Sequence, residues 1–442
     1  MNTSIRINGG KELSGTVAIQ GSKNAFHKIL GACVRWPGVF RLRGVPDIQD
    51  AKWLLELFEF VGGTVVKEVG VTILDSRAIT SKPITKSLAE KSTGTFLFAG
   101  ALLARFGKVE IAPPGGDNIG NRPVNYHLDA FKALGAHVED VSGLYRITGE
   151  NLQGIAWTFP GGTVNGTINA ILAVTGAQGK STLRGCVVES DIENAIEFMN
   201  RGGANIKVTS VEEGVIEVTP IETFVTEMEF QIVPDRNATA TYALAGVLLC
   251  KELALTNANV TYDNDPLWEF LKKVGASVEV NHNTQIVVVK KSSPQPLSET
   301  VEGTIPPGFS TDWGPLVQVL LTQLPGKTEY YDTVFTNRFA LVPEIAKMGV
   351  RATLHEVEKD TWVNPSEFNQ ASKYDRVRFE GSTILRGAEV RANDIRNGAA
   401  LVLAGLLAEG QTTISDAIHI KRGYEDMIKV FKTLGADINW LE

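Results

Sequence analysis

The sequence predicts an α/β protein of two lobes, each assembled from three repeated units in which sheets enclose buried helices. Three observations support this prediction. An apolar, helix-like run ends at a glycine six times along the 442 residues, at intervals of about 70 to 85 residues. Residues typical of a strand follow each glycine. A second apolar run, rich in small residues, lies about 25 to 35 residues before each glycine. The glycines are Gly62, Gly135, Gly203, Gly275, Gly349 and Gly435.

In each unit, the sequence predicts a strand, a buried helix, a second strand, an amphipathic helix and a third strand. The first helix is apolar on nearly every face, which indicates that protein covers it on all sides. The second helix, as in residues 51–62, keeps a polar face and is expected outside. It ends at the repeated glycine because a helix C-terminus often requires a left-handed backbone. The buried helices are predicted at residues 24–33, 95–104, 167–176, 237–249, 312–321 and 397–408.

Composition limits the functional classes. The net charge of −7 argues against a general surface for nucleic acid or for anionic membranes. Cys33, Cys186 and Cys250 lie in apolar surroundings and are expected to be reduced core residues of a cytoplasmic protein. Residues 1–15 lack the apolar core of a signal peptide, and the longest apolar run is too short to span a bilayer. The histidines and cysteines show no metal-ligand spacing and no nucleotide-binding glycine motif occurs, so neither a metal nor a cofactor is expected.

Charged and polar residues recur where the buried helices begin. A helix N-terminus offers free N–H groups and a partial positive charge, so an added lysine or arginine makes it a site for phosphate or carboxylate. An aspartate at the same place is also a common N-cap that needs no other function. Either interpretation suits each residue alone, but the recurrence at equivalent places favours a binding site. The residues are Lys23, Asn24, Asp235, Arg236, Asp312, Asp394 and Arg396.

Further cations lie in three loops. Residues 113–127 are long, polar and glycine-rich, and carry Asp117 and Arg122; they form either a mobile lid or a plain surface turn. Arg338 and Arg422 lie in two later loops. A compact substrate with more than one negative charge would use such a cluster. The five cations are Lys23, Arg122, Arg338, Arg396 and Arg422.

Seven strings together resemble the enolpyruvyl transferases, and within that family UDP-N-acetylglucosamine 1-carboxyvinyltransferase rather than the shikimate enzyme. The resemblance covers nearly the whole chain. The strings are GSKN (21–24), PGGDNIGNRPVNYH (114–127), VPDR (233–236), STD (310–312), TVFTNRFALVPEIAKMG (333–349), LVLAG (401–405) and HIKRGYE (419–425).

The resemblance implies two inside-out α/β lobes, each of three βαβαβ-type units with central helices, which agrees with the repeats. One lobe would comprise residues 22–232, with a mobile lid at 113–123. The other would combine residues 1–21 with 233–442. In this family the substrate cleft lies between lobes that close on the ligand, no cofactor takes part, and members are often monomers.

The resemblance also implies a reaction. Enolpyruvyl transferases move the enolpyruvyl group of phosphoenolpyruvate to a sugar hydroxyl, here the 3-hydroxyl of UDP-N-acetylglucosamine in peptidoglycan biosynthesis of the cell wall. Carbon C3 is protonated, the hydroxyl attacks C2, and the resulting ketal loses a proton and inorganic phosphate. The catalytic residues would be Asp117, Asp312, Lys23 and Arg396, with Asp394 nearby. Phosphoenolpyruvate would bind Lys23, Arg122, Arg338, Arg396 and Arg422. The acceptor would meet Asn24, Arg122, Pro123, Val124, Asn125, Tyr126, Asn165, Gly166, Glu189, Asp312 and Val334.

The sequence departs from the family pattern in three segments. Asp117 replaces the usual cysteine that fosfomycin alkylates, so insensitivity to fosfomycin is expected, with the aspartic acid as proton donor to C3. Thr93 stands where the family has an arginine that contacts phosphoenolpyruvate; Lys91 lies two residues away. In the acceptor segment 162–166, Gly162 and Val164 replace a lysine and a serine.

These departures leave three functional hypotheses. The first is transfer to UDP-N-acetylglucosamine. The second is the same chemistry on another nucleotide, such as a nucleoside monophosphate of specialised metabolism. The third is a catalytically silent paralogue that binds a nucleotide, which the loss of the arginine at Thr93 favours. Neighbouring cations would keep Asp312 ionised and able to accept a proton, which favours an active enzyme.

Overall fold

The computed structural model describes residues 3–116, 123–221, 223–291, 293–335, 338–356 and 374–441. The chain divides into two compact units. The middle unit comprises Gly21–Gly116 and residues 123–233, and the terminal unit comprises residues 3–20 and the described part of 234–441. Each unit has its own cluster of buried apolar side chains.

Both units contain short strands and helices in alternation. The terminal unit begins with β1 (Ser4–Asn8) and β2 (Leu13–Ala18). The helices of the middle unit are α1 (Lys23–Arg35), α2 (Gln49–Phe60), α3 (Lys86–Ala89), α4 (Leu97–Phe106), α5 (Asn125–Ala133), α6 (Val164–Val174) and α7 (Ser190–Arg201). Its strands are β3 (Val39–Arg43), β4 (Thr64–Glu68), β5 (Val71–Asp75), β6 (Lys108–Ile111), β7 (His137–Val141), β8 (Leu144–Thr148), β9 (Ala156–Thr158), β10 (Ser181–Arg184), β11 (Asn205–Ser210), β12 (Val215–Thr219) and β13 (Glu227–Gln231).

The rest of the terminal unit repeats this alternation. Its helices are α8 (Arg236–Leu249), α9 (Asp265–Lys273), α10 (Gly314–Leu321), α11 (Val342–Ala346), α12 (Ile395–Leu407) and α13 (Met427–Thr433). Its further strands are β14 (Cys250–Thr256), β15 (Ser277–Asn281), β16 (Ile286–Lys290), β17 (Val301–Gly303), β18 (Lys327–Asp332), β19 (Arg351–Glu356), β20 (Tyr374–Glu380), β21 (Glu389–Arg391), β22 (Gln411–Ser415) and β23 (Asp437–Leu441). Short 3₁₀ helices occur at Thr93–Phe96, Tyr262–Asn264, Thr311–Trp313, Arg338–Leu341 and Ala417–Arg422.

Three small sheets form in the described part of each unit, and they share one topology. The orders in the middle unit are β13-β3-β5-β4, β6-β8-β7 and β9-β10-β12-β11. Those in the terminal unit are β2-β14-β16-β15, β17-β18-β20-β19 and β21-β22-β1-β23. In each four-stranded sheet the first pair is parallel and the other two pairs are antiparallel. A parallel bridge between Ile84 and Ile111 takes the place of the fourth strand in the sheet of three.

Five of the six repeats therefore end in a pair of antiparallel strands that are consecutive in the chain, one strand more than the sequence predicted, and in the last repeat β1 pairs with β23 instead. In the first repeat, β4 turns at Gly70, whose φ is +73°, and returns as β5. The six glycines that mark the repeats all have φ between 92° and 111°. This left-handed backbone ends the second helix of each repeat, as predicted.

The first helix of each repeat lies in the interior of its unit. In the middle unit α1, α4 and α6 contact one another, and in the terminal unit α8, α10 and α12 do so. The buried residues number 13 of 14 in α8 and 12 of 13 in α12, so these helices present almost no surface to water. The second helices bury one face only, as in α2, where 6 of 12 residues are buried. The central placement of the apolar helices is therefore the arrangement that their sequences predicted.

Buried Asn169 joins three helices of the middle unit. From α6, its Nδ2 donates to the carbonyl of Phe96 at 2.8 Å and to Nδ1 of His127 at 2.9 Å, while its Oδ1 accepts from the N–H of Gly100 at 2.8 Å. Nδ1 of His127 must therefore be the acceptor, which requires a neutral imidazole. Burial lowers the pKa of His127 to about 3.

We predict that His127 makes the protein less stable as the pH falls. The folded state keeps this imidazole neutral, whereas the unfolded chain protonates it near pH 6.5, so the unfolded state binds more protons between about pH 6.5 and pH 3. Lowering the pH from 7.5 to 5 should cost about 2 kcal/mol of unfolding free energy from this group alone. Urea unfolding at both pH values, compared between the wild type and His127→Gln, measures the difference. Equal losses in the two proteins would contradict the prediction.

Candidate active site

The terminal unit brings several predicted site residues together where its inner helices begin. Asp235 caps α8 by accepting from the N–H groups of Asn237 and Ala238, both at 2.8 Å. Asp394 caps α12 by accepting from the N–H groups of Arg396 and Asn397, also at 2.8 Å. Both aspartates therefore serve as N-caps, as the alternative interpretation of the sequence expected.

Asp312 is the centre of this cluster. It lies in the 3₁₀ turn that leads into α10, and its side chain is 27% exposed. Its Oδ1 accepts from Nη2 of Arg338 at 2.5 Å. Its Oδ2 lies 3.2 Å from Nδ2 of Asn237 and 3.5 Å from Nη2 of Arg396. One partly exposed carboxylate thus accepts from two arginines and one amide.

Both arginines are buried and remain charged. Burial lowers the pKa of Arg338, but attraction to Asp312, Asp332 and Asp394 outweighs burial and raises that pKa above its ordinary value. Burial also lowers the pKa of Arg396, and here too interactions with Tyr424 and Asp312 outweigh it and raise the pKa. Both guanidinium groups therefore keep a permanent positive charge, which is the form that binds a carboxylate or phosphate.

Asp332 shapes the segment that precedes Arg338. Its Oδ1 accepts from the N–H groups of Val334 and Phe335 at 3.0 and 2.8 Å. Its Oδ2 accepts from Thr311 Oγ1 at 2.6 Å, and the same threonine oxygen accepts from Nε of Arg338 at 3.2 Å. Burial raises the pKa of Asp332, and these donors oppose the shift. The half-buried Val334, a predicted acceptor contact, is thus held through its backbone.

Tyr424 and Arg422 lie at the end of the last 3₁₀ helix. Nη1 of Arg396 donates to Oη of Tyr424 at 2.9 Å, and Oγ1 of Thr241 lies 2.8 Å from the same oxygen. Arg422 is buried within the terminal unit. Gln20 fixes this segment because its side chain donates to the carbonyl of Gly423 at 3.1 Å and accepts from the backbone N–H of Glu425 at 2.8 Å.

The middle unit holds a second polar cluster at the start of α1. Ser22 caps this helix through the N–H of Ala25 at 3.1 Å. Nζ of Lys23, the first residue of α1, lies 3.6 Å from Oδ2 of Asp50. One turn later, Nζ of Lys28 lies 3.2 Å from Oε1 of Glu189, and both side chains are almost fully buried.

Six of the acceptor residues predicted in the middle unit lie at the starts of α5 and α6, whereas Asn24 is the second residue of α1 and Glu189 is the N-cap residue of α7. Asn125 begins α5 and is exposed, whereas Tyr126 packs its ring edge-on against Phe159 at 6.5 Å. Thr163 caps α6 through the N–H of Gly166 at 3.1 Å, and Asn165 is half-buried. Pro123 and Val124 precede α5, where Val124 occupies the N-cap position. Gly162, which replaces the family lysine, is exposed.

Nζ of Lys91, two residues before Thr93, lies 3.3 Å from Oε2 of Glu56, and the two side chains are 36% and 56% exposed.

Of the predicted lid at 113–123, residues 117–122 lie outside the described residues, and these include Asp117 and Arg122. Their assigned roles therefore stay predictions.

Sequence analysis missed four residues of these clusters. Asn237, Thr241, Asp50 and Lys28 each contact a predicted site residue or its partner. A signal was present for Asn237 and Thr241, since both are polar residues one turn apart in a helix that is mostly apolar. Lys28 carried the same signal, as a charged residue within the predicted buried helix 24–33, whereas Asp50 carried none.

The described residues contain no group of three histidine, cysteine or acidic side chains placed to hold a metal ion. No helix among them has the length and hydropathy needed to cross a lipid bilayer. Burial raises the pKa of Cys186 and of Cys250 to about 12, so neither thiol is activated as a nucleophile.

Comparison with known proteins gives consistent matches. The family model described as EPSP synthase (3-phosphoshikimate 1-carboxyvinyltransferase) matches residues 7–431. UDP-N-acetylglucosamine 1-carboxyvinyltransferase of Halothermothrix orenii is 33% identical over 98% of both chains. A protein of Bacillus subtilis, named UDP-N-acetylglucosamine 1-carboxyvinyltransferase 2, is 31% identical over 99% of this chain and 96% of its own length.

Solved structures confirm the predicted fold class. The enolpyruvyl transferase NikO from Streptomyces tendae superimposes with a TM-score of 0.86 at 22% identity, over 99% of each chain. EPSP synthase from Acinetobacter baumannii gives a TM-score of 0.76 at 17% identity, over all of both chains. At these identities the likeness shows the fold alone, whereas the family model and the relatives show descent. The chain therefore belongs to the enolpyruvyl transferase family, as its sequence strings indicated, and is an enzyme of that family.

Proposed function

We propose that the protein transfers the enolpyruvyl group of phosphoenolpyruvate to the 3-hydroxyl of UDP-N-acetylglucosamine and releases inorganic phosphate. The observation that carries the proposal is Asp312, a partly exposed carboxylate held by buried Arg338 and Arg396. Full-length relatives at 33% identity bear the name of this activity. With this acceptor, the reaction would serve peptidoglycan synthesis in the cytoplasm.

In the addition step, a proton goes to C3 of phosphoenolpyruvate while the acceptor oxygen bonds to C2. Asp312 takes the hydroxyl proton, and the side chain of Asp117 gives the proton to C3. Arg338 and Arg396 hold the carboxylate of phosphoenolpyruvate, because planar guanidinium groups match a carboxylate with two parallel hydrogen bonds. The product of this step is a tetrahedral ketal that still carries the phosphate.

In the elimination step, C3 returns a proton to Asp117, the bond between C2 and the phosphate oxygen breaks, and the proton held by Asp312 passes to the departing phosphate. Negative charge then accumulates on the departing phosphate. Lys23, Arg122 and Arg422 stabilise that charge, and such preoriented cations contribute most where charge develops in the transition state. The enol ether and inorganic phosphate leave, and the acidic residues return to their starting protonation.

A second acceptor is supported by a specific observation. Gly162 and Val164 stand where the family has a lysine and a serine, and Gly162 is exposed and offers no charge to a diphosphate. The same chemistry on a nucleotide with fewer phosphates, such as a nucleoside monophosphate, is therefore the alternative. The silent paralogue is less well supported, because a protein without this reaction has no need for all six of the charged residues that the chain retains. They are Lys23, Arg122, Asp312, Arg338, Arg396 and Arg422.

We predict that phosphate release requires both phosphoenolpyruvate and a nucleotide acceptor. The protein is incubated with phosphoenolpyruvate and a panel of nucleotide sugars, nucleoside monophosphates and nucleoside diphosphates, and inorganic phosphate is measured. Release with UDP-N-acetylglucosamine supports the first acceptor, and release with another nucleotide alone supports the second. Phosphoenolpyruvate without acceptor is the control. Absence of release with every acceptor would reject the proposed function in favour of the silent paralogue.

We predict that Lys23→Ala and Arg396→Ala each lower kcat/KM by at least about 100-fold, because each removes a cation that faces developing or bound negative charge. Steady-state kinetics measure the loss, and circular dichroism verifies that both variants fold. Lys91→Ala is the matched control, since Lys91 pairs with Glu56 in an exposed ion pair. Near-normal rates in both site variants would remove these residues from the active site.

We predict that fosfomycin does not inactivate the wild type, because the Asp117 carboxyl is a far weaker nucleophile towards an epoxide than a thiolate. Asp117→Cys should become sensitive and lose activity with time. The residual activity after incubation with the epoxide, with and without added phosphoenolpyruvate, measures this change. Time-dependent inactivation of the wild type would overturn the assignment.

A further inference from the structure

Two polar residues on one face of α8 connect the charged groups of the terminal unit. Asn237 and Thr241 are four residues apart and therefore neighbours on the helix surface. Both are buried, within a helix where 13 of 14 residues are buried. Asn237 contacts Asp312, and Thr241 contacts Tyr424, which in turn contacts Arg396. The candidate base and one substrate-binding arginine are thus both connected to the same helical turn.

The hydrogens along this connection can be assigned from chemistry alone. Arg396 can only donate, so its Nη1 donates to Oη of Tyr424 at 2.9 Å. Oγ1 of Thr241 lies 2.8 Å from the carbonyl of Asn237, which can only accept. The tyrosine hydroxyl must then donate to the threonine oxygen at 2.8 Å. The hydrogen bonds therefore run in one direction, from Arg396 through Tyr424 and Thr241 to the carbonyl of Asn237, and both hydroxyl hydrogens are used.

The side chain of Asn237 uses only part of its hydrogen-bonding capacity, unlike the hydroxyl groups of Tyr424 and Thr241. Because the carboxylate of Asp312 accepts, the amide nitrogen must be the group that faces it at 3.2 Å. The amide oxygen is buried and has no hydrogen-bond partner among the described residues. A buried, half-satisfied amide costs stability relative to an apolar residue of the same size. Stability alone is therefore a poor reason for an asparagine at this position.

We propose that Asn237, Thr241 and Tyr424 are positioning residues that hold Asp312 and Arg396 in a fixed relation for the reaction. This inference rests on the proposed function. A free arginine side chain samples many rotamers, and fixing it before the substrate arrives removes that entropic cost from binding. The face of the Tyr424 ring, 5.6 Å from the guanidinium carbon of Arg396, restricts the arginine further.

The first test removes a single oxygen. Tyr424→Phe keeps the ring but leaves Nη1 of Arg396 without its acceptor, so the arginine should bind the carboxylate of phosphoenolpyruvate less well. We expect KM for phosphoenolpyruvate to rise by about 10-fold or more, since hydrogen bonds to charged groups are the stronger ones. KM for the acceptor and the inhibition constant of inorganic phosphate, which lacks a carboxylate, should change by less than about twofold.

Two further variants complete this test. Thr241→Val removes the acceptor of the tyrosine hydroxyl, so its effect should overlap with that of Tyr424→Phe and the double variant should not be additive. Tyr242→Phe is the matched control, because Tyr242 is an equally buried tyrosine of α8 whose ring packs against Phe431 at 5.8 Å. It should leave all three constants unchanged.

The second test uses Asn237→Leu, which keeps the helix cap because Asp235 binds the backbone N–H of this residue. Arg338 and Arg396, which pair with Asp312 in the described structure, both remain in this variant. Loss of the amide donor removes a hydrogen bond to the ionised carboxylate and should raise its pKa. We expect the acidic limb of the pH profile of kcat to move to higher pH, with KM for phosphoenolpyruvate little affected.

The outcomes separate the two proposals. If the wild type neither releases phosphate nor binds phosphoenolpyruvate in calorimetry, the proposed function fails and this inference fails with it. If the wild type is active but Tyr424→Phe has normal constants, the inference alone is wrong. Equal increases in KM for both substrates and in the inhibition constant of phosphate would show a general structural defect, and would also overturn it. An unchanged pH profile in Asn237→Leu would overturn the role of Asn237.

Discussion

The burial of the inner helices along their whole length is the constraint on which the rest of this structure depends. A helix covered on all sides has no face for unpaired polar side chains, so its polar residues must be paired or lie at its ends. Its first N–H groups also need acceptors, which Ser22, Thr163, Asp235 and Asp394 supply. The same requirement therefore concentrates polar chemistry at the N-terminal ends of these helices, where the candidate catalytic residues lie.

The carboxylate oxygens of the capping aspartates and of Asp312 bind different kinds of groups. Both oxygens of Asp394 are used within α12, since Oδ1 accepts two backbone N–H groups and Oδ2 accepts from the side chain of Asn397 at 2.7 Å. Asp312 instead shares its oxygens between two arginines and remains partly exposed. Among the described residues, Arg338 gives one N–H each to Thr311 and Asp312. A guanidinium group has five N–H donors, so this arrangement is compatible with the proposed binding of a substrate carboxylate.

The sequence predicts the parts of this protein that depend on local chemistry. The repeated glycines mark helix ends because a positive φ excludes most other residues, and the six observed values agree. The apolar runs predict the inner helices because only full burial accounts for their composition. The hairpins were missed because the second strand of each follows a tight turn such as that at Gly70, and five residues such as Val71–Asp75 carry too short a pattern.

Contacts between residues that are distant in sequence limit how much of the site can be predicted from the sequence. The strings GSKN and HIKRGYE indicated Lys23 and Arg422 because a family resemblance carries them, but no local pattern pairs Thr241 with Tyr424, which lies 183 positions along the chain. The ion pair of Lys28 and Glu189 also joins residues that are far apart in the sequence. Such contacts follow from helix packing, which periodicity alone does not specify.

The two lysines of α1 show why burial decides which charge can serve a substrate. Lys28 and Glu189 form an ion pair with side chains 2% and 1% exposed, and removing one partner of such a pair typically costs about 3 to 5 kcal/mol. A ligand that approached Glu189 would have to compete with Lys28 for it. Lys23 lies farther from its partner Asp50, at 3.6 Å, and its side chain is 13% exposed. An incoming phosphate can therefore draw Lys23 towards itself at a much smaller cost, which makes Lys23 the better ligand for an anion and Lys28 the better support for the helix that carries it.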